Sequence, residues 1–259
     1  SYQWRRDGAA ISGANASTYV LVAADVGTVI TVDVTGTSGA GAATGSSAAT
    51  ATVITFAPTY KAEAVAAAAT VDSSSFTPTA GAKIFVVASG RRDGSLPASG
   101  TVTDSLGVPL TYTPVANVTH SPAGDPYQRL MVWEATAGVS PVAMTVTAAM
   151  TSSSDMIIQV FEVIGAGAAV NTSPVGVSVV GDPSTTLALA PAATSLVMVA
   201  GLFQGTDPLT APAGMTELRE TAGATLRQEL ATQLAGSQTN AYASTNTNSI
   251  AVAVEIPLA

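Results

Sequence analysis

His120, in Val118-Thr-His-Ser-Pro, is the one imidazole of the chain, and cysteine is absent. A Ser-His-Asp relay would have to run through that single position, and multi-His or thiolate metal sites have no ligands to draw on. No serine sits in a Gly-x-Ser-x-Gly elbow, and no glycine-rich loop carries a phosphate-binding lysine. What remains for catalysis is a carboxylate pair, an acid and a nucleophile or base about 5 to 10 Å apart, as glycoside cleavage requires. Glu134 and Glu162 are the candidates. Glu162, however, closes Ile157-Ile-Gln-Val-Phe-Glu162 just as Glu255 closes Ile250-Ala-Val-Ala-Val-Glu255. A duplicated scaffold seldom needs the same catalytic group twice, so the pattern favours a structural role at a strand end. The expectation is a protein without enzymatic activity, cofactor or metal.

Binding chemistry is concentrated in two segments, Gly90-Arg-Arg-Asp-Gly-Ser95 and Ala123-Gly-Asp-Pro-Tyr-Gln-Arg129. Arg91, Arg92, Asp93, Asp125, Tyr127 and Arg129 offer the groups that hydrogen-bond sugar hydroxyls and cover an apolar sugar face. The plainer reading of both segments, polar hairpin tips, weighs more, because loops are polar anyway. Their aspartates lack the spacing of an EF-hand calcium loop. His120 reads as a solvated loop residue.

These groups need a scaffold, and the composition says which. Ala, Thr, Ser, Val and Gly dominate, 47% of the 259 residues are apolar and only 10% are charged, a mix suited to pleated strands joined by small-residue turns. The chain is long enough to bury a substantial core. A net charge of −8 leaves no basic stripe to release counterions from a phosphate backbone, which argues against nucleic acid. Asp, Ser, Gly or Pro interrupts every apolar run before the roughly 20 residues a membrane-crossing helix needs, which argues against membrane insertion. Ser1 leads directly into a strand-like segment with no initiator Met, so further residues upstream are expected.

A faint internal repeat organises the rest. Phe76-Thr-Pro-Thr-Ala-Gly-Ala-Lys-Ile-Phe-Val-Val-Ala88 is echoed by Leu189-Ala-Pro-Ala-Ala-Thr-Ser-Leu-Val-Met-Val-Ala200, and the two glutamate-closed runs echo each other downstream. Each copy reads as an all-β unit. Candidate strands in the first copy are 83–88, 101–103, 110–114, 130–135, 143–148 and 156–163. Those in the second are 195–202, 215–220, 227–234, 241–244 and 250–256. Two segments pull towards helix: Tyr60-Lys-Ala-Glu-Ala-Val-Ala-Ala-Ala-Ala69 by composition, and Leu226, Leu230 and Leu234 by spacing. Aligning Gly138 with Gly236 sets Leu230 on Val132 and makes the second segment a strand. Before the repeat, Tyr2-Gln-Trp-Arg, an Asp7-Gly8 turn and the alternating Ile30-Thr-Val-Asp-Val-Thr35 read as a separate β module with a boundary near residue 56. Residues 38–52 would form its last hairpin and a linker. The expected organisation is therefore a module over 1–56 and a large β domain over 57–259, in halves of about 60–166 and 175–259.

The series YQWRRDG, STY, ADVGTVITVDV resembles the Ig-like modules that decorate bacterial extracellular and phage virion proteins. That resemblance makes Trp4 a core residue facing an opposite sheet, has Asp25 and Gly27 shape the turn into the Ile30 strand, and leaves the module short of its first two strands. The pattern SSSFTPTAG, TVTDSLGVPLTY, RLMVWEATAG, IIQVFEVIG resembles a jelly-roll-like β-sandwich family of bacteriophage and gene-transfer-agent surface proteins, over about residues 60–259. In that family Pro78 and Gly81 turn the chain into the first core strand, and Asp104 and Gly107 form the next hairpin. The module order is that of head spikes and tail fibres. The resemblance implies an all-β protein at a virion surface or otherwise extracellular, partnered by other virion proteins, by host surface polysaccharide and by further copies of itself. A non-catalytic decoration protein and a polysaccharide-degrading enzyme are the alternatives.

Overall fold

The computed structural model describes residues 1–21, 25, 28–50, 53, 58–120, 127–169, 171–180, 184–186, 190–192, 195–205, 208–234, 239–242 and 247–257. The protein is all-β, with no α-helix among these residues. It divides into two compact units, Ser1–Thr55 and Phe56–Ala259.

The first unit is one antiparallel sheet in the order β2 (Ala9–Ala10), β1 (Tyr2–Arg6), β3 (Ile30–Ser38), β4 (Gly41–Ser46). Asp7 and Gly8 both take positive φ, 46° and 80°, and close the β1–β2 hairpin with the twist a two-residue turn needs. Tyr2, Trp4 and Arg6 lie opposite Val34, Val32 and Ile30, so the aromatic and β-branched residues share one face. Trp4 stacks on Tyr19 with centroids 5.7 Å apart and donates Nε1–H to the Ala16 carbonyl at 2.9 Å. Its cover is thus its own hairpin extension, where the resemblance implied a second sheet. Asp25 is buried and paired with Arg6 at 2.6 Å. Gly27 lies outside the described residues.

The second unit holds two five-stranded antiparallel sheets of the same construction. One runs β5 (Pro58–Ala66), β12 (Asp155–Val163), β7 (Lys83–Arg92), β10 (Tyr127–Thr136), β9 (Thr113–His120). The other runs β13 (Asn171–Val180), β19 (Thr247–Ile256), β15 (Leu196–Gln204), β17 (Leu226–Leu234), β16 (Thr216–Ala222). Val132 lies opposite Val87 and Leu230 opposite Ala200, while Glu162 lies opposite Ile84 and Glu255 opposite Val197. The repeat is therefore a repeat of register as well as of strand order. A small sheet, β6 (Thr70–Asp72), β11 (Val146–Ala149), β8 (Thr101–Asp104), belongs to the first half, and β14 (Ser184–Thr186) with β18 (Thr239–Ala241) to the second.

Alternation along the central strands divides the apolar residues among three cores. Phe85, Val87, Leu130 and Phe161 meet Met198, Leu202, Leu230 and Val254 between the two large sheets. Ile84, Val86, Met131, Trp133 and Val160 face the other way, towards Val146 and Ala148 of the small sheet. Val197, Val199, Phe203 and Tyr242 form the third core. Strands buried on both faces read as unbroken apolar runs, as β7 and β15 do.

Two expectations need correcting. Residues 60–66 are strand despite their alanines, because pairing along β12 and burial of Ala62 override a helix propensity of a few tenths of a kcal/mol per residue. Leu110 is not in a strand. The Asp104 carboxylate accepts the N–H groups of Leu106 and Leu110, both at 2.9 Å, and holds 105–110 as a loop, so the strand begins only at Thr113. Leu226 to Leu234 is a strand, and the four-residue spacing of its leucines is also a multiple of the strand period.

Candidate functional site

The candidate binding residues gather at one end of β7 and β10, but not as one cluster. Arg91 and Arg92 extend β7 instead of forming its loop, so alternation sends them to opposite faces. Arg91 points with Ser89 and Val87 towards the second half. Its side chain is 14% exposed, and the guanidinium reaches Asp93 Oδ1 at 2.8 Å, Asp155 Oδ2 at 3.4 Å and Thr225 Oγ1 at 3.1 Å. It is a tie between the halves. Arg92 lies directly opposite Tyr127 on the other face, and both are half-buried. Asp93, its side chain 66% exposed, follows in the turn made by Gly94 at φ 81°. Asp125 lies outside the described residues.

Arg129 belongs to the interior, contrary to its reading as a hairpin-tip residue. It is buried in β10, donates Nε–H to the Pro97 carbonyl at 2.7 Å, and contacts Asn117 Oδ1 at 2.6 Å. These bonds fasten the segment after Gly94 across to β9. Burial lowers the affinity of its guanidinium for a proton.

Glu134 and Glu162 flank β7 opposite Phe85 and Ile84, adjacent residues whose side chains point to opposite faces of the sheet. The two carboxylates therefore cannot converge on one bond. Glu134 meets Lys83 Nζ at 3.3 Å and accepts the Ala169 N–H at 2.9 Å. Glu162 meets Lys61 Nζ at 3.1 Å and accepts from both the N–H and the hydroxyl of Thr79. Each is engaged in holding chain segments together.

Several polar groups escaped the sequence reading. His120 ends β9 on the inward side with Ala116 and Val118 and is buried, because the strand runs further than its loop-like sequence suggests. Desolvation lowers its pKa, partly offset by a hydrogen bond that the imidazole donates to the Asn248 side chain. Its Nε2, Ser89 Oγ and both amide atoms of Gln128 are buried without partners. Glu229 is likewise buried, neither oxygen bonded. Burial, then the negative charges of Glu217 and Glu220, push its pKa up to about 8. The sequence signal was present, since Glu229 falls between inward leucines on what reads as a solvent face, but Tyr242 covers that face. Apolar tips also stand free: Val108 is 85% exposed and Val139 90%, beside a cleft of about 200 Å³ lined by Leu110, Ala137, Pro141 and Met144.

No protein-family model, curated protein or solved structure matches the chain.

Proposed function

We propose that the chain is a non-catalytic virion surface component of the head-spike or fibre type, and that Phe56–Ala259 attaches the particle to host surface polysaccharide. The supporting observation is the Arg92–Tyr127 pair at the end of β7 and β10, followed in the turn by Asp93, whose side chain is 66% exposed and paired with Arg91. An aromatic face, a guanidinium and a carboxylate on strand ends are what a sugar ring with equatorial hydroxyls requires. Arg91 and Arg129 frame the site, since their own hydrogen bonds are made within the protein. A single shallow sugar site is weak, and repetition over many copies on a particle supplies the avidity. Binding of the purified chain to surface polysaccharides of candidate hosts tests this, with Arg92→Ala and Tyr127→Ala alongside. Saturable binding lost in both variants is expected; absence of binding to any host glycan rejects it.

A second reading, a decoration protein that stabilises a capsid or tail, is favoured by the uncharged tips at Val108 and Val139. Co-assembly with particle proteins that survives Tyr127→Ala but not Val139→Asp would select it.

A further inference from the structure

Strand order and register match each element of one half of the second unit to one of the other: β5 to β13, β9 to β16, β10 to β17, β12 to β19 and β7 to β15. Between the large sheets, β12 packs against β17 and β10 against β19, while β5 packs against β16 and β9 against β13. Exchanging the halves turns each of these contacts into another member of the set, while β9 also packs against β19 without an equally close counterpart between β12 and β16. This is the geometry of an isologous dimer, realised within one chain.

The two sides of that pseudo-axis differ in chemistry. On the β12–β17 side, Gln159 and Gln228 meet in the core: Gln228 Nε2 donates to Gln159 Oε1 at 2.8 Å, and Gln159 Nε2 donates to Thr221 Oγ1 at 2.8 Å and to the Gln228 carbonyl at 3.2 Å. Glu63 extends the seam, accepting from Thr221 and pairing with Arg219, whose guanidinium lies 5.2 Å from the Tyr60 ring centroid. Burial works to raise the Glu63 pKa, but the bonds from Arg219 and Thr221 outweigh it and hold the carboxyl below its ordinary value.

On the β10–β19 side the counterparts of Gln159, Gln228, Arg219 and Thr221 are apolar, and the buried polar residues of that side, Gln128 and His120, lie further along β10 and β9. Gln159 stands opposite Val87, and Val252 stands opposite the matching Ala200; Gln228 stands opposite Leu202, and Leu130 opposite the matching Ser89. Ala116 holds the place of Arg219, and Val118 that of Thr221. The stretch of β13 that replaces Glu63, Ser173-Pro-Val-Gly176, has no ionisable residue.

We propose that this one-sided polar seam makes the inner sheet of each half a surface that accepts the other half and rejects a copy of itself. Pairing two first halves would set Gln159 against Leu130 and Glu63 against Ala116, twice over. Pairing two second halves would set Gln228 against Val252 and strand Arg219 at β13. Each such pairing buries the Gln159 or Gln228 amide without a partner and separates Glu63 from Arg219, a partly exposed pair, so the unpaired amides carry most of the cost. The other inward residues of the two sheets are mostly apolar, differing in size as Phe85 and Phe161 do from the matching Met198 and Val254, so the seam is the directional element of the selection. Two chains are thereby kept from linking through like halves.

The test uses the full chain. A quadruple variant, Gln159→Val, Gln228→Leu, Glu63→Val and Arg219→Ala, copies the apolar side onto the polar one. Wild type and variant are refolded from denaturant over a range of concentrations and sized by chromatography with light scattering. The variant is expected to shift with concentration into species of two or more chains while wild type does not. A reversed seam, Glu63→Arg with Arg219→Glu, is expected to behave as wild type. Unchanged sizes for a folded quadruple variant overturn the proposal. If that variant fails to fold, Gln159→Val and Gln228→Leu are melted singly and together: the double variant is expected to melt at or above the lower single, and a Tm loss equal to the sum of the two singles overturns the pairing on which the proposal stands.

Discussion

Glu162, at the end of β12, accepts the Thr79 N–H at 2.8 Å and the Thr79 hydroxyl at 2.6 Å. The second half repeats the device, with Glu255 accepting the Ala192 N–H at 2.8 Å. In both copies the bonded residue follows the proline that leads into the central strand, Pro78 before β7 and Pro191 before β15. The glutamate is a clamp on strand entry, and its duplication follows the duplication of the fold. Glu162→Ala leaves the Thr79 N–H and Lys61 without their acceptor and is expected to lower stability by about 2 kcal/mol. Denaturant melting measures this, and a loss within error of zero would remove the clamp.

Glu229 gives the second unit a pH dependence of definite sign. A carboxyl with an ordinary value of 4.5 is held near 8 in the fold, so between these values the unfolded chain has released a proton that the folded one keeps. Stability then falls as pH rises through that window. The groups about it do not reverse the sign: Glu217 and Glu220 repel it, Tyr242 stays neutral, and Arg227 is engaged with Glu220. His120 acts oppositely, because its lowered pKa withdraws stability as pH falls below its ordinary 6.5. Melting between pH 8 and 6.5 therefore isolates Glu229: Tm is expected to rise on acidification in wild type and to stay nearly flat in Glu229→Gln, which is also the more stable at pH 8. Parallel profiles would contradict the assignment.

Arg92 and Arg129 are expected to separate binding from stability. Arg92→Ala removes a half-buried side chain at a strand end and should change stability by no more than about 0.5 kcal/mol. Arg129→Ala frees the Pro97 carbonyl and Asn117 and should lower it by about 2 kcal/mol, with faster amide exchange over 94–100. Equal effects from the two would erase the distinction between surface and frame.

Gly201 stands where the first half has Ala88, and a Cβ there would come within 2.5 Å of Phe203 and 2.8 Å of Tyr242. The space is taken by the Tyr242 ring, which packs edge-on to Phe203 and donates its hydroxyl proton to the Val199 carbonyl at 3.0 Å. Gly201→Ala is expected to cost about 1 to 3 kcal/mol, whereas Ala88→Gly in the first half should cost about 1 kcal/mol or less. Thermal melting of both variants tests the difference.

The strands were legible where period and repeat agreed. Leu226 to Leu234 has the spacing of a helix, and its alignment with the Val132 strand identified it as β. The alanines at 62–69 had no such aid, since local propensity carries no information about the β12 edge that pairs with them. At the candidate site, sequence located the Arg91-Arg92-Asp93 segment but not the alternation that turns Arg91 inward, because one added residue of strand reverses every face. Burial of Arg129, His120 and Glu229 depends on what the rest of the chain lays over them, and a linear pattern of polar residues reads as solvent-facing until that cover is known.

Val86 and Val87 are neighbours in sequence yet belong to different cores, and Val197 and Met198 repeat the division in β15. The two strands are party walls, each closing one chamber while opening the next. Loosening an outer chamber disturbs the partition of the middle one, which opposes melting of the halves in sequence from the outside inward. The unit is expected to unfold as a single block, with its slowest-exchanging amides along β7 and β15.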